Sequence, residues 1–198
     1  IRQPEIRLPE VEDLSPEEVS DHAPLLTVSC YHLAFDETLL ADVSFTVSPG
    51  EKVVLVGPNG TGKTSLLRDV RQNANDAIRF APSAVPAFFS QLHAEVLSEE
   101  NSIYEEFYSI GFETPSSVEE FLTPYCFDPL SLHRKVGHLS GGEKNLLQLA
   151  KLSVSGANLL LLDEPSSHLD TFAQIALEKA IAEYRGAVLM VSHDFYTV

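Results

Sequence analysis

The chain is 198 residues long, the length of one ordinary domain or a little more. Thirteen Lys and Arg against 29 Asp and Glu leave a formal net charge of −16, which argues against a free-standing binder of nucleic acid or anionic membrane, since phosphate contacts need Lys and Arg. Hydrophobic residues make up 44% of the chain, enough for a full core, and no apolar run approaches the ~18 residues of a membrane span.

Residues 1–24 read as a linker. Pro4, Pro9, Pro16 and Pro24 stand among acids that outnumber Arg2 and Arg7, a composition that favours an extended, solvated chain. The alternation of Ile6 and Leu8 would let part of it pair along a sheet edge. The first residues lack the basic and apolar regions of a signal peptide. They also lack an initiator Met, so the chain is expected to be cut from a longer polypeptide. Cys30 and Cys126 give neither a disulfide framework nor metal-ligand spacing, and reduced cysteines suit a cytoplasmic protein.

From Leu25 the pattern changes. Residues 26–31 and 43–47 alternate with period two, as half-buried antiparallel strands do. After the turn Ser48-Pro49-Gly50-Glu51, the run Lys52-Val53-Val54-Leu55-Val56 predicts a buried parallel strand. Leu159-Leu160-Leu161-Leu162 and Ala187-Val188-Leu189-Met190-Val191 predict two more, with helices between. That order implies an α/β core with a parallel sheet. The stretch 92–138 predicts a small helical insertion, with helices near 103–108 and 118–122 broken by Pro115, Pro124 and Pro129.

Gly57-Pro58-Asn59-Gly60-Thr61-Gly62-Lys63-Thr64 fits the phosphate-loop pattern G-x-x-x-x-G-K-[ST], and Ser65 carries it into the following helix. Its glycines let the chain turn with positive φ and aim successive N–H groups inward. A helix starting near Gly62 points its amides and dipole at the same place. Lys63 can reach the β- and γ-phosphates, and the Thr64 hydroxyl can ligate Mg²⁺.

Leu139-Ser140-Gly141-Gly142-Glu143 opens a second helix of interest. Ser140 and Glu143 have capping-box spacing, and the two glycines clear side chains from a helix N-terminus, as a second phosphate site requires. A well-capped ordinary helix is the plainer reading of the same residues. Downstream, Asp163 and Glu164 end a buried strand, where ligands of open α/β sheets sit. Asp163 suits Mg²⁺ and Glu164 suits the attacking water.

Taken together, the loop at 57–64, the glutamine of Phe89-Ser90-Gln91, the signature at 139–143, the acidic strand end at 159–164 and Val191-Ser192-His193-Asp194 resemble an ATP-binding cassette (ABC) nucleotide-binding domain over residues 25–198. Leu169-Asp170 resembles its D-loop. The resemblance implies a P-loop NTPase fold: a mostly parallel core sheet, an antiparallel β subdomain and the helical insertion. It also implies MgATP hydrolysis. Gln91 would sense Mg²⁺ and the γ-phosphate, and Glu164 would be the general base or water-positioner. His193 would contact the γ-phosphate. Phe35, with Tyr31 as its rival, would stack on adenine. Ser140, Gly141 and Gly142 would bind nucleotide held by a second cassette, so that two cassettes sandwich ATP and their opening does mechanical work.

The segment 162–170, Leu-Asp-Glu-Pro-Ser-Ser-His-Leu-Asp, is similar to the ABC-F group, as are 139–144 with 149–152 and Tyr184-Arg185-Gly186-Ala187-Val188-Leu189. Members of that group carry two cassettes in one chain without a membrane domain, and most known ones act on ribosomes as translation factors or antibiotic-resistance proteins. Residues 1–24 would then end the inter-cassette linker and this would be the second cassette. The span from Gln91 to Leu139 is too short for the ribosome-probing arm that the first cassette usually carries. Ser166-Ser167 in place of Thr-Asn, Phe195 where the group often has Arg, and the acidic charge depart from the group. The nucleotide-binding subunit of an ABC membrane transporter and a DNA-associated ABC ATPase are the alternatives. A cassette normally continues past His193 with more strand and helix, so a C-terminal truncation is expected.

Overall fold

Leu26–Ala34 (β1) and Thr38–Val47 (β2) pair as an antiparallel hairpin, and Ile78–Phe80 (β4) pairs antiparallel on the other side of β1. In the computed structural model, which describes residues 3–11, 23–34, 38–73 and 75–192, the inward alternation of β1 begins at Leu26 and Val28 and then slips. The register shifts between Val28 and Tyr31, where Cys30 adopts φ 50°. The extra residue of this bulge turns Tyr31 inward, fully buried, and leaves Cys30 exposed. Strict period-two reading would have placed them the other way round.

The second sheet is parallel, in the order β3 (Lys52–Leu55), β7 (Ala187–Val191), β6 (Leu159–Asp163), β5 (Pro86–Phe89). β6 and β7 are flanked on both sides and buried at every residue, as their unbroken apolar runs require. β3 departs from expectation. Among the described residues it pairs only with β7, its side chains are half-buried, and Val56 lies beyond its end at 48% exposure. An apolar run reports neighbours on its faces; it does not say whether the strand lies at a sheet edge. β5 begins at Pro86, a first-strand position that needs no backbone donor, and its composition had not singled it out.

Helix α1 (Lys63–Gln72) presents Leu66, Leu67 and Val70 to a core that also holds Leu26, Val28 and Tyr31 of β1 and Leu159, Leu161, Leu189 and Val191 of the parallel strands. The spacing i, i+1, i+4 gives one apolar stripe. The Tyr31 hydroxyl reaches Asp69 on the same helix at 2.6 Å. Burial and that carboxylate push the phenol well above its ordinary pKa.

The described residues fall into two compact units. The sheet unit is Pro9–Phe89, Gly156–Glu164 and Tyr184–Val198; the helical unit is Ile1–Leu8, Ser90–Ser155 and Pro165–Glu183. The helical unit holds α2 (Ile103–Tyr108), α3 (Pro115–Leu122), α4 (Gly141–Ser153) and α5 (Thr171–Glu183), with 3-10 turns at His93–Glu95, Thr123–Tyr125, Pro129–Ser131 and Val136–His138. Its prolines mark starts as well as breaks. Pro115 occupies the first turn of α3 behind a Thr114–Ser117 capping box, and Pro124 and Pro129 open 3-10 turns. Phe107, Phe112, Phe121 and Tyr125 pack ring on ring, with centroids 5.0–5.9 Å apart. The carboxylate of Glu106, nearly fully buried, pairs with Lys151 at 2.7 Å and accepts from Asn101 Nδ2 and the Ser98 N–H.

Residues 3–11 form no strand. The Glu5 N–H donates to the Pro124 carbonyl at 2.8 Å, the Arg7 N–H reaches the Tyr125 hydroxyl, and Ile6 is buried. Residues 5–7 of the acidic segment pack within the helical unit, without a sheet edge. No helix among the described residues is long and apolar enough to cross a membrane.

Candidate functional site

In the sheet unit, β3 stops at Leu55 and the chain turns through 57–62 into α1. Gly60 and Gly62 have φ of 80° and 88°, a region costly for residues with a Cβ. Gly62 is also the N-cap of α1, and a Cβ there would come within 2.7 Å of Leu33 Cδ2. Leu33 and Leu40 of the hairpin thus pack against the loop, and a side chain at 62 would have both to displace the Leu33 methyl and to adopt the positive φ. Thr61 Oγ1 donates to the Pro58 carbonyl at 2.9 Å. Lys63, 9% exposed, folds back over the loop and donates from Nζ to the carbonyls of Gly57 and Pro58 at 2.8 and 2.7 Å. Pro58 and Asn59 form the exposed rim, and Ser65 lies half-buried in the first turn of α1.

The strand register brings the acidic end of β6 to this loop. Asp163 pairs with Val191 of β7, which pairs with Leu55 of β3, so the three strands end level. Thr64 Oγ1 donates to Asp163 Oδ1 at 3.0 Å, and Asp163 is 2% exposed. A hydroxyl and a carboxylate oxygen side by side are hard donors of the kind Mg²⁺ takes alongside phosphate oxygens and water. Glu164 follows with φ 48°, its N–H bonded to the Val191 carbonyl at 3.0 Å. A left-handed non-glycine residue costs on the order of 1 kcal/mol, and here it turns the chain out of the sheet directly after Asp163.

In the helical unit, Ser140 caps α4. Its side chain accepts from the Glu143 N–H and the Glu143 carboxylate accepts from the Ser140 N–H. Burial would raise the Glu143 pKa, but the bonds from Ser140 and the Arg134 guanidinium at 2.9 Å outweigh it and hold the carboxyl below its ordinary range. Gly142 is sterically required, whereas Gly141 sits at ordinary contact distance. A Cβ on Gly142 would stand 2.9 Å from the His168 carbonyl oxygen, and one on Gly141 would stand 3.4 Å from the His168 side chain. His168 itself has φ 62°. Gln91 is exposed and follows β5 by two residues.

The structure therefore brings Lys63, Thr64, Asp163 and the loop glycines together in the sheet unit, and Ser140, Gly141 and Gly142 to the start of α4 in the helical unit. It removes Tyr31 as the rival for the adenine, since that ring is wholly buried and tied to Asp69. Phe35 and His193 lie outside the described residues. Sequence reading missed Leu33, Leu40 and His168, which set the space around the glycines. It also missed Asn145, Gln148 and His93. Two amides three residues apart on the buried side of α4 were the available signal.

The sequence profile of the ABC transporter family matches residues 40–167, a span that contains the loop, the Ser140 cap and the acidic strand end. The chain belongs to that family. This cassette is 36% identical over 168 residues to ABC transporter F family member 5 of Arabidopsis thaliana, covering 82% of this chain and 24% of that protein. It is 36% identical to the energy-dependent translational throttle protein EttA of Haemophilus influenzae, covering 80% of this chain and 30% of that one. It is 33% identical to the ribosome protection protein VmlR of Bacillus subtilis, with 82% and 30% covered. The chain thus spans about a quarter to a third of the length of these relatives. An ABC transporter ATP-binding protein of Pyrococcus furiosus shares the fold with a TM-score of 0.66 at 21% identity, over 85% of this chain and 91% of that one. The protein is an ABC ATP-binding domain of ABC-F-like sequence, with the α/β P-loop cassette fold.

Proposed function

We propose that this cassette hydrolyses ATP as one half of an ATP-sandwiched pair and that the protein acts on the ribosome in the cytoplasm. The observation that carries the ATPase reading is the Thr64–Asp163 pair at 3.0 Å beside the Lys63 loop. Asp163 is anchored by β6 at the level where β3 delivers the loop, so the metal-side oxygens and the phosphate-side cation stand on one rigid base. Thr64 and Asp163, with Gln91, would hold Mg²⁺, which when bound neutralises charge on the β- and γ-phosphate oxygens.

The chain's own groups do the rest. The loop glycines allow the backbone to close around the phosphates, and Lys63 exchanges its carbonyl partners for phosphate oxygens. Glu164 accepts a proton from the attacking water as the water adds to the γ-phosphorus and the bond to the bridging oxygen breaks, giving ADP and phosphate. His193 acts at the γ-phosphate and Phe35 at the adenine. Ser140, Gly141 and Gly142 meet the γ-phosphate of nucleotide held by the opposing cassette, with the α4 N-terminus supplying the positive end of its dipole.

The ribosome reading rests on the ABC-F-like sequence and on relatives named as a translational throttle and a ribosome protection protein. We read the domain at 25–198 as the second cassette, with residues 1–24 ending the linker before it. The test is co-sedimentation of the intact protein with ribosomes, carrying Glu164→Gln and the matching change in its partner cassette. ATP-dependent appearance in the ribosome fraction is expected. Absence from it, with ATP still bound, would leave the ATPase reading standing and turn the search to a membrane partner.

A further inference from the structure

The buried side of α4 carries two amides that the nucleotide site does not use. Asn145 and Gln148 are 1% and 2% exposed and stand three residues apart on one helix face. Burying an amide without partners costs on the order of 1–3 kcal/mol, and in both the oxygen and the nitrogen have a partner. Gln148 Oε1 accepts from the Ser90 N–H at 3.1 Å while its Nε2 donates to the Ser90 carbonyl at 3.0 Å. The side chain thus reads both backbone groups of one residue, as a neighbouring strand would. Asn145 Nδ2 donates to the Ser167 carbonyl and its Oδ1 accepts from His93 Nε2 at 2.7 Å. The Ser90 hydroxyl closes the turn, donating to Glu95 and accepting from the Leu92 N–H.

The consequence falls on Gln91. Its own side chain is exposed, yet residue 90 before it and residue 93 after it are both bonded to α4. The same helix opens with Ser140, Gly141 and Gly142, and its Asn145 holds the carbonyl next to His168, the residue against which those glycines pack. A shift of α4 must therefore move the segment carrying Gln91, or break buried amide bonds.

We propose that Gln148, supported by Asn145 and His93, is a positioning residue that fixes the backbone on which Gln91 is carried, by holding both backbone groups of Ser90. The proposal rests on the role given above to Gln91. It predicts an effect on turnover and its Mg²⁺ dependence, with little effect on nucleotide binding, because the loop at 57–64 is not touched.

The test is a double-mutant cycle in the intact protein with Gln91→Ala and Gln148→Met, the latter near-isosteric but unable to form either bond. Gln148→Met should lower kcat by about tenfold and raise the Mg²⁺ concentration for half-maximal turnover. ATP affinity measured in the Glu164→Gln background should stay within about threefold. In the Gln91→Ala background the same change should have almost no further effect, since coupled residues are non-additive. Fully multiplicative losses would overturn the proposal while leaving Gln91 in its role. An unaffected Gln91→Ala enzyme would remove that role and the proposal with it. Should Gln148→Met not fold, Gln148→Glu, which keeps the acceptor for Ser90 N–H, runs the same cycle. Hydrogen exchange supplies a second reading: amides 90–93 should lose protection in Gln148→Met while those of α1 keep theirs, and unchanged protection at 90–93 would overturn the proposal.

Discussion

The two units position their candidate groups by different means. In the sheet unit the backbone does it. Asp163, Glu164 and the loop at 57–62 leave the ends of strands whose register is locked by parallel ladders, and positive-φ positions at Gly60, Gly62 and Glu164 set the turns. In the helical unit side chains do it. A capping box holds Ser140, two buried amides hold the segments around it, and a nearly buried Glu106–Lys151 pair ties α2 to α4. A ladder fixes many residues at once and tolerates a changed side chain. A network of single amides depends on each member, because an orphaned buried partner costs more than the bond contributed. The sheet unit's groups are thus held by many shared backbone bonds, and those of the helical unit by a few side-chain bonds that each matter singly.

Glu164→Gln tests the comparison most strongly. The residue keeps its backbone bond to Val191 and its turn, so geometry and ATP binding should survive, while kcat should fall by about 10²–10⁴-fold with the loss of the base. Turnover and nucleotide affinity measured side by side check it; unchanged turnover would remove Glu164 from that role. Leu67→Ala removes a fully buried α1 side chain from the core shared with β6 and β7 and should cost about 2–5 kcal/mol, read as a lower denaturant midpoint. If the ladders alone held the sheet unit, the loss would be far smaller.

Gly142→Ala should cost about 1–3 kcal/mol by overpacking against the His168 carbonyl and should abolish most turnover while leaving nucleotide affinity at the sheet unit nearly intact. Equal losses in both would mean that the contact at 2.9 Å does not separate the two roles. Ser140→Ala is the mildest, about 1 kcal/mol for a lost N-cap, and it carries a pH signature. Glu143 has its pKa depressed in the folded state, so the stability it contributes is present above its ordinary value of 4.5 and is lost as pH falls through the folded value. Acid unfolding curves should therefore show the Ser140→Ala deficit shrinking below that pH.

Much of the site was legible because its chemistry demands particular residues at particular spacings. The run 57–64, the pair Asp163-Glu164 and the Ser140–Glu143 box announce a phosphate loop, an acidic strand end and a helix start without reference to the rest of the chain. Local patterning likewise predicted β6, β7 and the helix at 103–108 close to where they stand, and the Ser140–Glu143 spacing predicted the start of α4. What the sequence could not supply depends on residues distant along the chain. The bulge at Cys30 exchanges the sides of Cys30 and Tyr31, and only that exchange removes Tyr31 as an adenine ligand. The half-buried setting of β3, which among the described residues pairs only with β7, depends on which strands pair. The crowding at Gly62 and Gly142 comes from Leu33 and from the His168 carbonyl, each far off in sequence. Gln148 looks in sequence like a polar residue on a helix; that it clamps Ser90, 58 positions away, is decided by packing alone. Short-range spacing carries the chemistry of each group, but the space around that group, and what moves with it, is set by long-range contacts that only the folded chain brings together.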